Sequence, residues 1–205
     1  MEPFTQIKTQ KHLKITYQNR FMSIQIYKPN KSNTGFAFSF YMGENQRDGT
    51  PSLFINAISQ HSWDDRKKIG SFSGSKEDPN KNISIKFNEF ECGSIISAID
   101  NRYEWNTYHA YEENKTQIKL SPWDKVTTNT KLNSKTKETY EEKVTLPAFG
   151  LVITRNGNQV FKIPLEPGEA QCVKILCQAI IQKICEKKAY KNKTQESNQV
   201  NNYEF

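Results

Sequence analysis

The chain has 205 residues, 35% of them hydrophobic, which suits one sizeable domain with a core and not two. Its formal charge of +7 favours a polyanionic partner, because clustered cations gain free energy by displacing the counterions condensed on nucleic acid. No stretch approaches the roughly 20 apolar residues of a membrane span, and Met1 to Arg20 has no apolar signal core, so no membrane partner is expected.

Residues 1–20 read as an N-terminal extension ahead of a domain over 21–188. Met22, Ile24 and Ile26 alternate with Ser23, Gln25 and Tyr27, the period of a half-buried strand that ends near Lys28-Pro29-Asn30. Thr34 to Tyr41 is a second strand, with Phe36, Phe38 and Phe40 on one face, and Leu53 to Ser59 is a third. The charged turn Asp64-Asp65-Arg66-Lys67-Lys68 leads through Ile69 to Phe72 into a loop rich in turn residues, Ser73 to Asn80. Ile83 to Phe87 is a further alternating strand. Asn88 with Glu91 then forms a capping box for a helix carrying Ile95, Ile96, Ala98 and Ile99.

The same unit returns. Strands are expected over Glu104 to Tyr111, Gln117 to Leu120, Thr145 to Thr154 and Asn158 to Ile163, with Asn156-Gly157 as a type I′ hairpin turn between the last two. Asp124 to Glu142, rich in threonine, lysine and asparagine, is expected to be an exposed, mobile loop, since it has too little apolar surface to offset its ordering entropy. An acidic cap at Glu166 to Glu169 opens a second helix to about Lys188, whose Leu176, Cys177, Ala179 and Ile180 fall in step with Ile95, Ile96, Ala98 and Ile99. Its apolar stripe of Val173, Leu176, Cys177, Ile180 and Ile184 is wider than one small sheet needs and is expected to serve self-association. Residues 189–205 read as a disordered polar tail whose tip, Tyr203-Glu204-Phe205, is a candidate site for a protein partner.

Cys92, Cys172, Cys177 and Cys185 all fall in the two helices without a C-x-x-C spacing and read as small buried apolar residues of an intracellular, reducing compartment, cytoplasm or nucleoid, with an organelle left open. His12, His61 and His109 are too dispersed for a metal site, and no cofactor is called for. The acidic pairs Asp64-Asp65, Glu89/Glu91 and Glu112-Glu113 do not make a catalytic cluster, because adjacent acids on a strand point to opposite faces. The chain is therefore read as a binding protein and not an enzyme.

Three stretches resemble the Whirly-fold family of single-stranded DNA-binding proteins, whose relatives include the kinetoplastid mitochondrial RNA-binding proteins and the transcriptional positive-cofactor family. Leu53 to Ile58 followed by Trp63-Asp64-Asp65-Arg66-Lys67-Lys68 is similar to the family's aromatic-rich strand and its aromatic-acidic-Lys-Lys turn. Glu91-Cys92-Gly93-Ser94-Ile95-Ile96 resembles the opening of its first helix, with Tyr108-His109 at an aromatic-His pair, and Phe149 through Ile184 resembles its last hairpin and closing helix. The resemblance implies an α+β domain of two antiparallel sheet-plus-helix halves, a homotetramer joined through a helical core, and single-stranded DNA running along sheet edges between protomers. In place of the plant members' Lys-Gly-Lys-Ala-Ala-Leu strand this chain has Tyr27 to Phe36, onto which only Lys28 and Lys31 carry over, and Asp124 to Glu142 is an insertion.

A single-strand binder needs cations to follow the backbone and flat side chains to stack bases. The chain interleaves them: Tyr27 with Lys28 and Lys31, Trp63 with Lys67 and Lys68, Trp105 with Tyr108 and His109, and Lys119 with Trp123; Arg155 joins the candidate set. Tyr103, Trp105, Thr107, His109 and Tyr111 share one strand face and Tyr108 takes the other, so not all can touch one ligand. Only five of the 29 cationic side chains are arginines, which suits phosphate tracking over base reading. The expected function is sequence-tolerant binding of single-stranded DNA in replication, recombination, repair or transcription. RNA binding by the same fold and a scaffold role without nucleic acid are the alternatives.

Overall fold

The computed structural model describes residues 23–132, 134 and 136–200, with side chains through residue 190. The extension 1–20 and the tip Tyr203 to Phe205 lie outside the described residues. Strands β1 (Ser23–Lys28), β2 (Phe36–Glu44) and β3 (Pro51–Ser59) are followed by a small hairpin, β4 (Ser62–Asp64) and β5 (Ile69–Ser71), and a 3₁₀ turn at Ser73–Ser75. Next come β6 (Asn82–Phe87), helix α1 (Glu89–Asn101), β7 (Trp105–Tyr111), β8 (Asn114–Leu132), β9 (Thr139–Arg155), β10 (Gln159–Leu165) and helix α2 (Pro167–Val200). The first sheet has the order β1-β2-β3-β6 and the second β10-β9-β8-β7, both antiparallel, so each half is a four-stranded sheet closed by a helix.

Alternation sends Phe38, Phe40, Leu53, Ile55, Ile85 and Phe87 inward from the first sheet. Ile118, Leu120, Ile153, Phe161 and Ile163 point inward from the second, and both sets join Ile95 and Ile99 of α1 in one continuous core. The α2 stripe belongs to that core as well. Val173, Leu176, Cys177, Ile180 and Ile184 are 0% to 4% exposed within the single chain, so they are not the self-association surface expected for them. The reason is geometric: α2 packs against α1 and strands of both sheets, and a broad stripe is what two sheets require. Among the described residues, the large hydrophobic side chains exposed on the helices are Phe90, 79% exposed, Ile175, 53% exposed, and Tyr190 near the far end of α2.

Local signals act as their chemistry dictates. The Asn88 side chain accepts from the backbone of Phe90 and Glu91 while Glu91 reaches back to the Asn88 N–H, completing the capping box. At α2 the Glu169 carboxylate accepts from the Glu166 N–H at 2.8 Å. Asn156 and Gly157 both take positive φ, +52° and +75°, as a type I′ turn requires. Cys92 and Cys177 are buried, and their mutual hydrogen bond together with desolvation pushes the Cys177 thiol well up, keeping it protonated. Cys172 and Cys185, in contrast to the expectation, are exposed.

Two larger differences concern segments read as unstructured. β8 and β9 stay paired through Asp124 to Glu142 up to the rung Leu132–Thr139, so the expected loop is a ribbon with a short turn. Its threonines and Val126 favour extended backbone even where neither face is covered. Helix α2 continues to Val200, past the expected boundary at residue 188, because nothing beyond Gly168 is a glycine or proline.

Candidate nucleic-acid interface

The β4–β5 hairpin is held by a buried amide. Gln60, 5% exposed, accepts from the Asn30 N–H at 2.8 Å and donates to the carbonyls of Asn30 at 2.9 Å and Ser62 at 3.0 Å, tying the hairpin to the β1–β2 turn. A Cβ on Gly70 would collide with Pro29, so the two loops touch through a residue that only glycine permits. Asp64 accepts from the backbone N–H groups of Arg66 and Lys67, both at 2.9 Å, which fixes the charged turn. Lys67 and Lys68 are left exposed beside Trp63, whose indole donates to Asp65 at 3.3 Å. Lys31 reaches the same Asp65 at 3.5 Å, and Tyr27, 55% exposed, packs its ring 5.9 Å from Phe72. Tyr27, Lys31, Trp63, Lys67 and Lys68 thus gather at one end of the first sheet.

From there the β1–β2 turn leans over β9 and β10, leaving a cleft of about 500 Å³ lined by Pro29, Asn30, Phe36, Val152 and Lys162 among others. Lys162 and Val152 stand in register with Lys119 across the outer face of the second sheet, and the next row carries Gln117 and Tyr108. Tyr108 is 57% exposed, and Trp123, 40% exposed, lies on the same face of β8 four residues past Lys119. Lys119 bridges to Glu104 at 2.8 Å, and that hydrogen bond holds the Glu104 carboxyl below the usual range. The hairpin meets the rim of the cleft where Gly70 approaches Pro29, and the cleft meets the outer face of the second sheet at Val152 and Lys162. Lys162 was missed in the sequence, although its place between inward Phe161 and Ile163 sends it outward.

Other candidates lie elsewhere. Lys28 lines the cleft, but its ammonium is paired with Glu169 at 2.7 Å and Glu166 at 3.7 Å. Glu166 also takes Lys125 at 2.7 Å, and this hydrogen bond, with the Lys28 charge, lowers its pKa. Trp105 and His109 face inward, because β7 lays that side of its alternation on the core and α1. Trp105 packs 6.1 Å from the Phe87 ring, and His109 Nε2 lies 2.5 Å from Glu91 Oε1. Burial alone would raise the Glu91 carboxyl, but hydrogen bonds from His109 and the Asn88 N–H outweigh it and bring the pKa down. Arg155 sits in the opposite cleft, between the β6 and β7 edges, with Lys86 and Tyr111. Sequence reading also missed the outer face of the first sheet, where Tyr41 stacks on Phe54 at 5.4 Å beside Asn56, whose buried Oδ1 has no partner. Among the described residues no group of three His, Cys, Asp or Glu side chains is placed to hold a metal.

Neither a family model nor a curated protein matches the sequence. Solved structures do match the fold: WHY1 from Arabidopsis thaliana superposes with a TM-score of 0.52 at 12% identity, covering 86% of this chain and 92% of that one. The fold is Whirly-like. The plant transcriptional regulator PBF-2 gives a TM-score of 0.51 at 11% identity over 85% of this chain and 87% of its own. The Whirly-like architecture expected from the motifs, an α+β domain of two sheet-plus-helix halves, is thus present, and at such identity the likeness is one of fold.

Proposed function

We propose that the chain is a non-enzymatic, sequence-tolerant binder of single-stranded nucleic acid, DNA foremost and RNA as the competing ligand, acting in replication, recombination, repair or transcription. The observation that carries this reading is the set of aromatic rings and lysines that the fold turns outward, from half-buried Trp63 with exposed Lys67 and Lys68, past the cleft with Lys162, to Lys119 and the exposed Tyr108 and Trp123. Lysines take phosphates as point charges without demanding a fixed base, and every base offers a face for stacking. The apolar walls of the cleft suit an unstacked base, with Lys162 at its rim for the adjoining phosphate. The role of PBF-2 as a transcriptional regulator supports the same class of partner. Self-association as a homotetramer falls in this reading to the outward helix faces, where Phe90 and Ile175 are exposed.

The test is a salt titration. If Lys67 and Lys68 each neutralise a phosphate, changing both to Ala flattens the slope of log affinity against log salt by about 1.4, since each phosphate neutralised on a single strand contributes about 0.7. An unchanged slope in a folded variant removes the hairpin from the interface.

A further inference from the structure

Beyond the body of the domain the second sheet loses both neighbours. β7 stops pairing at Leu120 and β10 at Phe149, and β8 and β9 run on as a two-stranded ribbon in unbroken register. The face that in the body carries Ile118, Leu120 and Leu151 onto the core therefore continues as Val126, Thr128, Thr130 and Leu132 on β8, opposite Thr145, Lys143, Glu141 and Thr139 on β9. All eight are exposed, Val126 at 60% and Leu132 at 61%. A lone two-stranded ribbon is marginal in water, and among the described residues both of its edges are unpaired. Its lysines and acids nearly balance, so a polyanion gains little there.

The exposed face is symmetric about the rung Asn129–Glu142. A two-fold axis crossing the strands at that rung lays β8 over the partner's β8 and β9 over the partner's β9, each reversed. Val126 then meets the partner's Leu132, Thr128 meets the partner's Thr130, and Lys143 meets the partner's Glu141, each contact occurring twice. The charges are free to do so. Lys131 pairs with Glu142 at 2.5 Å on the opposite face, whereas Lys143 and Glu141 have no ion pair among the described residues.

We propose that this ribbon face docks on the same face of a second copy of the chain. Eight residues a side fall short of the 20 to 30 typical of a stable interface, so the contact is weak and concentration-dependent. It is independent of nucleic-acid binding and of any association through the helices. Sedimentation equilibrium of the full chain at low salt, over a concentration series, tests it with four proteins: wild type, Lys143→Glu, Glu141→Lys and the double exchange.

Each single change places like charges over one another twice and is expected to weaken the ribbon-dependent association about tenfold. The double exchange restores it. An equimolar mixture of the two single variants associates more strongly than either alone. Association through the helices is common to all four proteins and cancels. Equal association by all four, or a double exchange as weak as the singles, overturns the proposal. Loss of single-strand binding by Lys143→Glu with association unchanged also overturns it, assigning the ribbon to nucleic acid.

Discussion

Ile180→Asp is expected to abolish folding. Ile180 is fully buried at the centre of α2, where burial of its side chain contributes about 1.5–3 kcal/mol. A carboxylate in its place has no partner there and costs several kcal/mol more. Together these consume most of the roughly 5–15 kcal/mol that holds a domain of ordinary stability. A thermal melt followed by near-ultraviolet circular dichroism should lose its cooperative transition. Ile175→Asp, one turn away on the exposed side, should keep that transition and affect assembly alone. A folded, monomeric Ile180→Asp protein would return the stripe to the role of an interface and contradict the packing described above.

Trp63→Ala carries the largest expected effect on binding. The indole stands on the hairpin beside Lys67 and Lys68, half-buried and tethered to Asp65, so one face is held in place before any base arrives. Removing one stacked base should weaken single-strand affinity by about 1–3 kcal/mol. Stacking releases few counterions, so the salt slope should stay close to wild type, the reverse of the lysine double change. Fluorescence anisotropy with a labelled oligonucleotide measures both quantities. A wild-type affinity in a folded Trp63→Ala protein would show that the hairpin ring serves packing and does not touch the strand.

The parts of the architecture legible in the sequence were those written in local chemistry. Phe36, Phe38 and Phe40 give the period of a strand, Asn88 with Glu91 the cap of a helix, and Asn156-Gly157 a hairpin turn; the structure contains each of them. What a period does not state is which surface covers the face it defines. The stripe through Leu176 and Ile180 looked too wide for one sheet, and it is covered by both. The same ambiguity governs the candidate site. Alternation separated Tyr108 from Trp105 and His109, but only the packing of β7 on α1 decides that Tyr108 is the outward member. Lys28 shows the complementary difficulty, since its partners Glu166 and Glu169 lie far along the chain and come to it only through the fold. The ribbon from Asp124 to Glu142 was hidden by polarity: its pairing satisfies the backbone without a buried face, which hydropathy does not register.

The central claim is that the aromatic-and-lysine surface serves single strands. The most direct measurement compares the affinity of the wild-type chain for a mixed-sequence DNA single strand with that for the duplex of the same sequence at one salt concentration. Stacking on Trp63, Tyr108 and Trp123 requires bases freed from their partners, so the single strand should bind at least about tenfold more tightly, from one stacked base or more. Equal affinity, a preference for duplex, or no binding to either would contradict the account.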